Sequence, residues 1–342
     1  MKFIISVLLF ASASTIVKSK EYCDFVFNLN DGTLTLNYLS ATPPQNDNDQ
    51  CITPSTTVTE NVNYGRVYKI LFSNVPNNVP TLYRAAVENF GHLVHLDFKQ
   101  IGIKTIKSAA FKNLSELVVV NLENNKIEQI ELGAFQRTPD VEFINLRGNR
   151  LKQLSADWLR DLPKLRVLNA SYNSITNLDS AFRNVVNIEI LDISHNRLTA
   201  IQSRVFNRLS SLRKLDLGYN LIHKIETGAF VATPRLHLLN LYNNNITYLS
   251  LDTMNSLLSL HDLVILHNPV TCLCLQHITK WLASNGIILN KAISCEARIE
   301  DIPICIDTGE TACSNSDDPS LYIDLHSSTQ DHKCYCNFDV IV

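Results

Sequence analysis

One frame of apolar residues opens eight times along this chain, at Leu93, Leu117, Val141, Leu165, Ile188, Leu212, Leu236 and Leu260, in steps of 24 residues with a single step of 23. A period that regular constrains the fold more than composition does. In the copy LRKLDLGYNLIHKI, Leu212 to Ile225, leucine or isoleucine stands at positions one, four, six, eleven and fourteen, with an asparagine at position nine. Leu215 and Leu217 alternate as in a short strand, not as in a helical stripe. A unit this small cannot bury its own apolar side, so its copies must stack on one another. A degenerate copy starts at Val67, with Ile70 and Phe72 in register.

Position nine is Asn125, Asn149, Asn173, Asn196, Asn220, Asn244 and Asn268 in the regular copies, while Val75 and Ile101 hold the place in the first two. An asparagine there can lend its amide to the backbone of a buried turn. Eighteen residues into the unit comes a second apolar mark, Phe111, Phe135, Leu159, Phe206, Phe230 and Met254, with Phe182 one residue early in the short copy. These side chains fill the interior from the opposite wall. Over about residues 67 to 270 the pattern resembles the extracellular leucine-rich repeat family. The resemblance implies an α/β-type repeat solenoid, a curved horseshoe with a parallel concave β-sheet, an irregular convex side and disulfide-bonded caps.

The first residues, MKFIISVLLFASASTIVKS, read as a secretory signal peptide, with a lysine, an apolar run from Phe3 to Phe10 and small residues after it. A membrane span needs about 20 apolar residues, and no segment reaches that length, so membrane insertion is not expected. The expected organisation is a signal peptide at 1–19, an N-terminal cysteine cap at 20–66, repeats at 67–270, a C-terminal cysteine-rich cap at 271–313 and a polar tail at 314–342. With a formal net charge of -3 and no block of Lys or Arg, the chain is not read as binding nucleic acid. No cofactor and no metal are expected.

Nine cysteines flank the repeats, Cys23 and Cys51 before them and seven from Cys272 onward. In a secreted chain such groups read as disulfides that cover the open ends of a solenoid. Cys23 and Cys51 are expected to pair around NLNDGTLTL, whose Asp31-Gly32 suggests a tight hairpin. NPVTCLCLQHITKWLASNG resembles the family's C-terminal cap, with a helix carrying Trp281 and ending near Gly286. That resemblance implies bonds from Cys272 to Cys295 and from Cys274 to Cys313, with Cys305 as an alternative partner for Cys274 and zinc as the rival use of Cys-x-Cys. An odd cysteine remains. It points to a bond to another chain through Cys334 or Cys336, in a disulfide-linked dimer or heteromer, against the alternative of a free or capped thiol.

Parallel strands bring equal repeat positions side by side, at about 4.8 Å intervals. Outward positions therefore form columns. Position three includes four consecutive apolar residues, Val119, Phe143, Val167 and Ile190, followed by Lys214. An exposed apolar patch marks an interaction site, while β-branched residues also simply suit strands. Position five is a polar ladder in which Asp192 and Asp216 are adjacent like charges, a pair that favours a cationic neighbour such as Lys214 or proton uptake. Tyr172, His195 and Tyr219 share position eight, and Tyr242 stands at position seven of the next copy. Tyrosine offers apolar area and a hydroxyl at low entropy cost. These columns make Phe143, Val167, Tyr172, Ile190, Asp192, His195, Lys214, Asp216, Tyr219 and Tyr242 the candidate ligand-binding face.

Three sequons, at Asn113, Asn169 and Asn245, are candidates for glycosylation, and a glycan on Asn169 would cover part of that face. Asp192, Ser194 and His195 include the residue types of a hydrolase triad, but nearest strand positions alternate faces and offer no nucleophile turn, so no catalytic residue is assigned. His237 and His261 are column neighbours, read as solvated imidazoles sooner than as metal ligands. The expected function is secreted recognition of a protein or glycan ligand, and the layout resembles coil-less insect leucine-rich immune proteins, which implies innate immunity. An extracellular adhesion or signalling module is the alternative.

Overall fold

Each regular copy of the frame opens with a three-residue strand: His95–Asp97, Val119–Asn121, Phe143–Asn145, Val167–Asn169, Ile190–Asp192, Lys214–Asp216, Leu238–Asn240 and Asp262–Val264. A computed structural model describes residues 90–289 without a break and, ahead of them, 15–19, 23–30, 33–41, 69–73, 81–84 and 86–88. The chain divides into two units, Met1–Leu191 and Asp192–Val342.

In the first unit the strands pair in parallel with no slip, so that His95, Val119, Phe143 and Val167 lie side by side, as do Asp97, Asn121, Asn145 and Asn169. The second unit repeats the arrangement, with Lys214 beside Leu238 and Leu238 beside Asp262. Each unit is thus a stack of parallel-strand turns, as the 24-residue period requires. Ahead of the repeats, strands Cys23–Asn30 and Thr33–Ala41 run antiparallel with Asn30 opposite Thr33, which places only Asp31-Gly32 between them. Thr15–Ser19 pairs antiparallel with the first of these.

The alternating apolar residues point inward. Leu215, Leu217 and Ile222 have no exposed surface, nor have Val120, Ile144 and Leu168, which hold the place of Leu215 in earlier copies. Rings fill the opposite wall: Phe111 stacks on Phe135 at 5.2 Å, Phe135 meets Trp158 at 5.9 Å, and in the second unit Phe206 stacks on Phe230 at 5.9 Å. Trp158 rather than Leu159 continues the ring stack, although both are buried. The short helix Ala156–Leu159, capped by Ser155, turns two successive side chains into the core. The outer wall is more regular than expected. It carries two-residue parallel strands at Thr81–Leu82, Thr105–Ile106 and Gln129–Ile130, others at Ala200–Ile201 and Lys224–Ile225, and a second short helix, Leu251–Asn255.

The position-nine asparagines act as the sequence suggests. Asn149 Oδ1 accepts from Ile127 N–H at 2.9 Å, and its Nδ2 donates to the carbonyls of Leu122 and Leu146, both at 2.9 Å. Asn125, Asn173, Asn220, Asn244 and Asn268 repeat this bridge between turns. A single side chain thereby satisfies buried donors and acceptors of two copies.

After the last repeat the helix Cys272–Ser284 is capped by Thr271, whose hydroxyl accepts from Cys274 N–H, and ends at Asn285 before Gly286 with φ 65°. Cys272 and Cys274 are both disulfide-bonded, which removes the thiolates a zinc site would need. Cys51, Cys295, Cys305, Cys313, Cys334 and Cys336, and so the partners expected for Cys23, Cys272 and Cys274 and any bond to another chain, lie outside the described residues. Among the described residues no helix is long and apolar enough to cross a membrane.

Candidate functional site

The turn that follows each strand has one backbone shape throughout. Position eight is left-handed in every regular copy: Gln100, Asn124, Gly148, Tyr172, His195, Tyr219, Asn243 and His267 have φ between 51° and 69°. The strand ladder continues into this turn, so that Asn124 N–H donates to Arg147 O at 2.8 Å and Tyr219 N–H to Tyr242 O at 2.8 Å. Side chains at positions seven and eight are consequently held in stacked rows.

In the first unit the row is charged and ends on an aromatic ring. Lys99 pairs with Glu123 at 3.2 Å, Arg147 lies 3.9 Å from the same carboxylate, and the Arg147 guanidinium stands 3.9 Å over the Tyr172 ring. Beside it runs the position-three column. Val119, Phe143, Val167 and Ile190 are half-buried, so their apolar surface is shaded without being removed from solvent. His95, which continues that column, is held below the usual imidazole range by burial and by Lys69, against the pull of Asp97.

In the second unit the row is aromatic over four copies. His195 stacks on Tyr219 with ring centroids 4.1 Å apart and planes 11° from parallel, Tyr219 meets Tyr242 at 5.4 Å, and Tyr242 meets His267 at 4.6 Å. All four are half-buried. The first pair is stacked face to face, while the other two are tilted, at 54° and 37°. Burial alone lowers the His267 pKa. Neither Arg147 nor His267 was among the residues expected. His267 could have been found, since it occupies position eight of its copy; Arg147 needed the register that sets its turn beside Tyr172.

Asp192 and Asp216 are placed differently from the rest. They are 7% and 3% exposed, which withdraws both carboxylates from direct contact with a ligand. Asp192 Oδ1 accepts from Ser194 N–H at 2.9 Å and from the Ser194 hydroxyl at 2.7 Å. Asp216 Oδ1 accepts from Gly218 N–H at 2.8 Å and Asn240 Nδ2 at 2.9 Å. Desolvation, and then the charge of Asp192, push the Asp216 carboxyl up to about 8. Lys214 stays exposed on the same strand and is not among the groups that shift the Asp216 carboxyl. The Ser194 hydroxyl thus donates to Asp192, and the His195 ring lies on Tyr219.

The sequons differ in setting. Asn113 is exposed and Asn245 half-buried, but Asn169 Oδ1 accepts from both the N–H and the hydroxyl of Ser171, at 2.9 and 2.7 Å, and Ser171 has no exposed surface. His237 and His261 stack at 4.9 Å. Among the described residues no group of three or more His, Cys, Asp or Glu side chains is disposed to hold a metal ion.

The sequence matches the family model for the leucine rich repeat over residues 91–151, 139–198, 186–246 and 210–270, which together span 91–270, 180 of the 342 residues. Among solved structures it is similar to a chain of the TLR13-ssRNA13 complex, at 22% identity and a TM-score of 0.57, with 63% of this chain and 31% of that chain covered. A leucine-rich repeat protein of Leptospira interrogans aligns at 20% identity and a TM-score of 0.48, over 66% of this chain and 62% of that one. The chain thus spans less than two thirds of the length of either. At these identities the likeness concerns the fold. No curated protein matches the sequence.

Proposed function

The chain belongs to the leucine-rich repeat family, and from that premise we propose that it is a secreted recognition protein that takes a protein or glycan ligand on its strand face and the turns that follow. The observation that carries the proposal is the display of bulky rings from a backbone that disfavours them. A left-handed conformation costs a residue with a side chain about 1–2 kcal/mol. Glycine or asparagine meets that demand at Gly148, Asn124 and Asn243, yet Tyr172, His195, Tyr219 and His267 stand at the same position. All four stay half-exposed, and in the second unit His195 and Tyr219 stack on one another while His267 meets Tyr242. Tyrosine and histidine edges supply apolar area together with hydrogen-bonding groups, which suits protein surfaces and sugars alike. Innate immune recognition is the process proposed, on the layout of signal peptide, repeats and cysteine groups. The RNA named with the TLR13 neighbour is not carried over, because the likeness reaches the fold alone and this chain has a formal charge of -3.

The test compares wild type with a Tyr219→Ala/Tyr242→Ala variant, both immobilised and exposed to a defined glycan panel and to the extracellular fluid of the native source. A ligand held by wild type and released by the variant, at equal thermal stability, supports the proposal. Equal retention of every bound species by both would refute it for this row.

A further inference from the structure

Position five carries amides at Asn121, Asn145, Asn169 and Asn240, and two carboxyls in succession at Asp192 and Asp216. Asn121 Nδ2 donates to Asp97 Oδ1 at 3.2 Å, one turn earlier, while Asn121 Oδ1 accepts from Glu123 N–H at 3.1 Å. Asn240 does the same, donating to Asp216 Oδ1 at 2.9 Å and accepting from Tyr242 N–H at 2.9 Å. Asp216 keeps the accepting half of this pattern, since its Oδ1 receives Gly218 N–H and Asn240 Nδ2. Its other oxygen takes the place where an asparagine carries its donor. One turn earlier stands Asp192, on the strand whose next residue, Ile193, donates its N–H to the Asp216 carbonyl at 2.9 Å. Two acceptors therefore meet where the ladder needs a donor.

We propose that one proton resides on Asp216 and is donated to Asp192, so that a carboxylic acid replaces the missing amide rung and makes the stability of the second unit sensitive to pH. Both carboxyls are buried, so two like charges there would repel with little water to screen them. The neighbouring strand Leu238–Asn240 contributes neutral Asn240, the turns above contribute Ser194, His195, Tyr219 and Tyr242, and Lys214 and Asp262 lie on the strands themselves. Of these, Asp192 alone acts on Asp216 as a charge, and in the direction that retains the proton. Gly218 leaves the room required: a Cβ there would stand 3.0 Å from Asn240 Nδ2 and 3.1 Å from Asp216 Oδ1.

The folded carboxyl titrates at about 8, against an ordinary value of 3.8 in the unfolded chain. The folded state therefore binds the extra proton between these values. Its stabilising effect is complete below 3.8 and is lost as pH rises through about 8. Across that window the folding equilibrium constant falls by up to about tenfold per pH unit, one proton's worth.

Asp216→Asn supplies the missing donor at nearly the same shape. Urea denaturation of the full chain across the window is expected to show wild type losing stability with pH relative to Asp216→Asn, with a slope difference approaching one proton. Independently of folding yield, the infrared difference between wild type and variant should contain a protonated carboxylic acid carbonyl band below pH 8 that vanishes above it. Parallel pH profiles, or the absence of that band, would overturn the proposal.

Discussion

Truncation of Asn220 to alanine isolates the contribution of one inter-turn bridge. The side chain is 4% exposed, accepts from Leu198 N–H at 3.0 Å and donates to the carbonyls of Ile193 and Leu217 at 3.0 Å each. The carbonyls have second donors, Asn196 Nδ2 for Ile193 and Asn244 Nδ2 for Leu217. Leu198 N–H has no such second partner among the described residues, so the loss centres on one orphaned buried donor, about 1–3 kcal/mol, with a smaller contribution from two weakened carbonyl bonds. The sum is about 2–4 kcal/mol. Asn125→Ala should cost more, because Asn125 Oδ1 accepts from three backbone N–H groups, those of Ile101, Gly102 and Ile103. Urea denaturation followed by circular dichroism measures both losses, and hydrogen exchange at the Leu198 amide reports the local one even where a repeat array unfolds in stages. An unchanged midpoint with Leu198 still protected would show that the bridge does not hold the turns together.

Tyr219→Gly relieves the left-handed backbone, about 1–2 kcal/mol, and forfeits ring contacts to His195 and Tyr242 of about 0.5–1.5 kcal/mol each; thermal stability should move little while ligand affinity falls, and a large drop in melting temperature would make the ring a packing group. Gly218→Ala forces a methyl group against Asp216 and Asn240 and should destabilise by about 1–3 kcal/mol, which chemical denaturation would test against an unaffected Gly91→Ala, where a Cβ meets nothing within 4 Å. Peptide mass spectrometry of protein from its native source should find glycan on exposed Asn113 and none on Asn169, whose sequon serine is fully buried and bonded to it. Occupancy at Asn169 would show that this turn opens to the glycosylating enzyme.

The period alone determined which residues share a column. Because the strands are parallel and the step is constant, Phe143 beside Val167 and Lys214 beside Leu238 follow from counting, as do the inward leucines and the role of the position-nine asparagines. The antiparallel pairing of Cys23–Asn30 with Thr33–Ala41 was also legible, since its signal is local. Exposure was not, because it depends on what neighbouring turns lay over a residue. Asp192 and Asp216 share a strand face with accessible Lys214, yet adjoining side chains and turns bury them. The left-handed turn at position eight was equally hidden, as a tyrosine gives no sign of a backbone that glycine would adopt more readily. Trp158 displaced Leu159 from the ring stack because a short helix set the direction of both. Only packing across copies 24 residues apart decides which column member reaches solvent, which ring stacks on the next and which carboxyl must keep its proton.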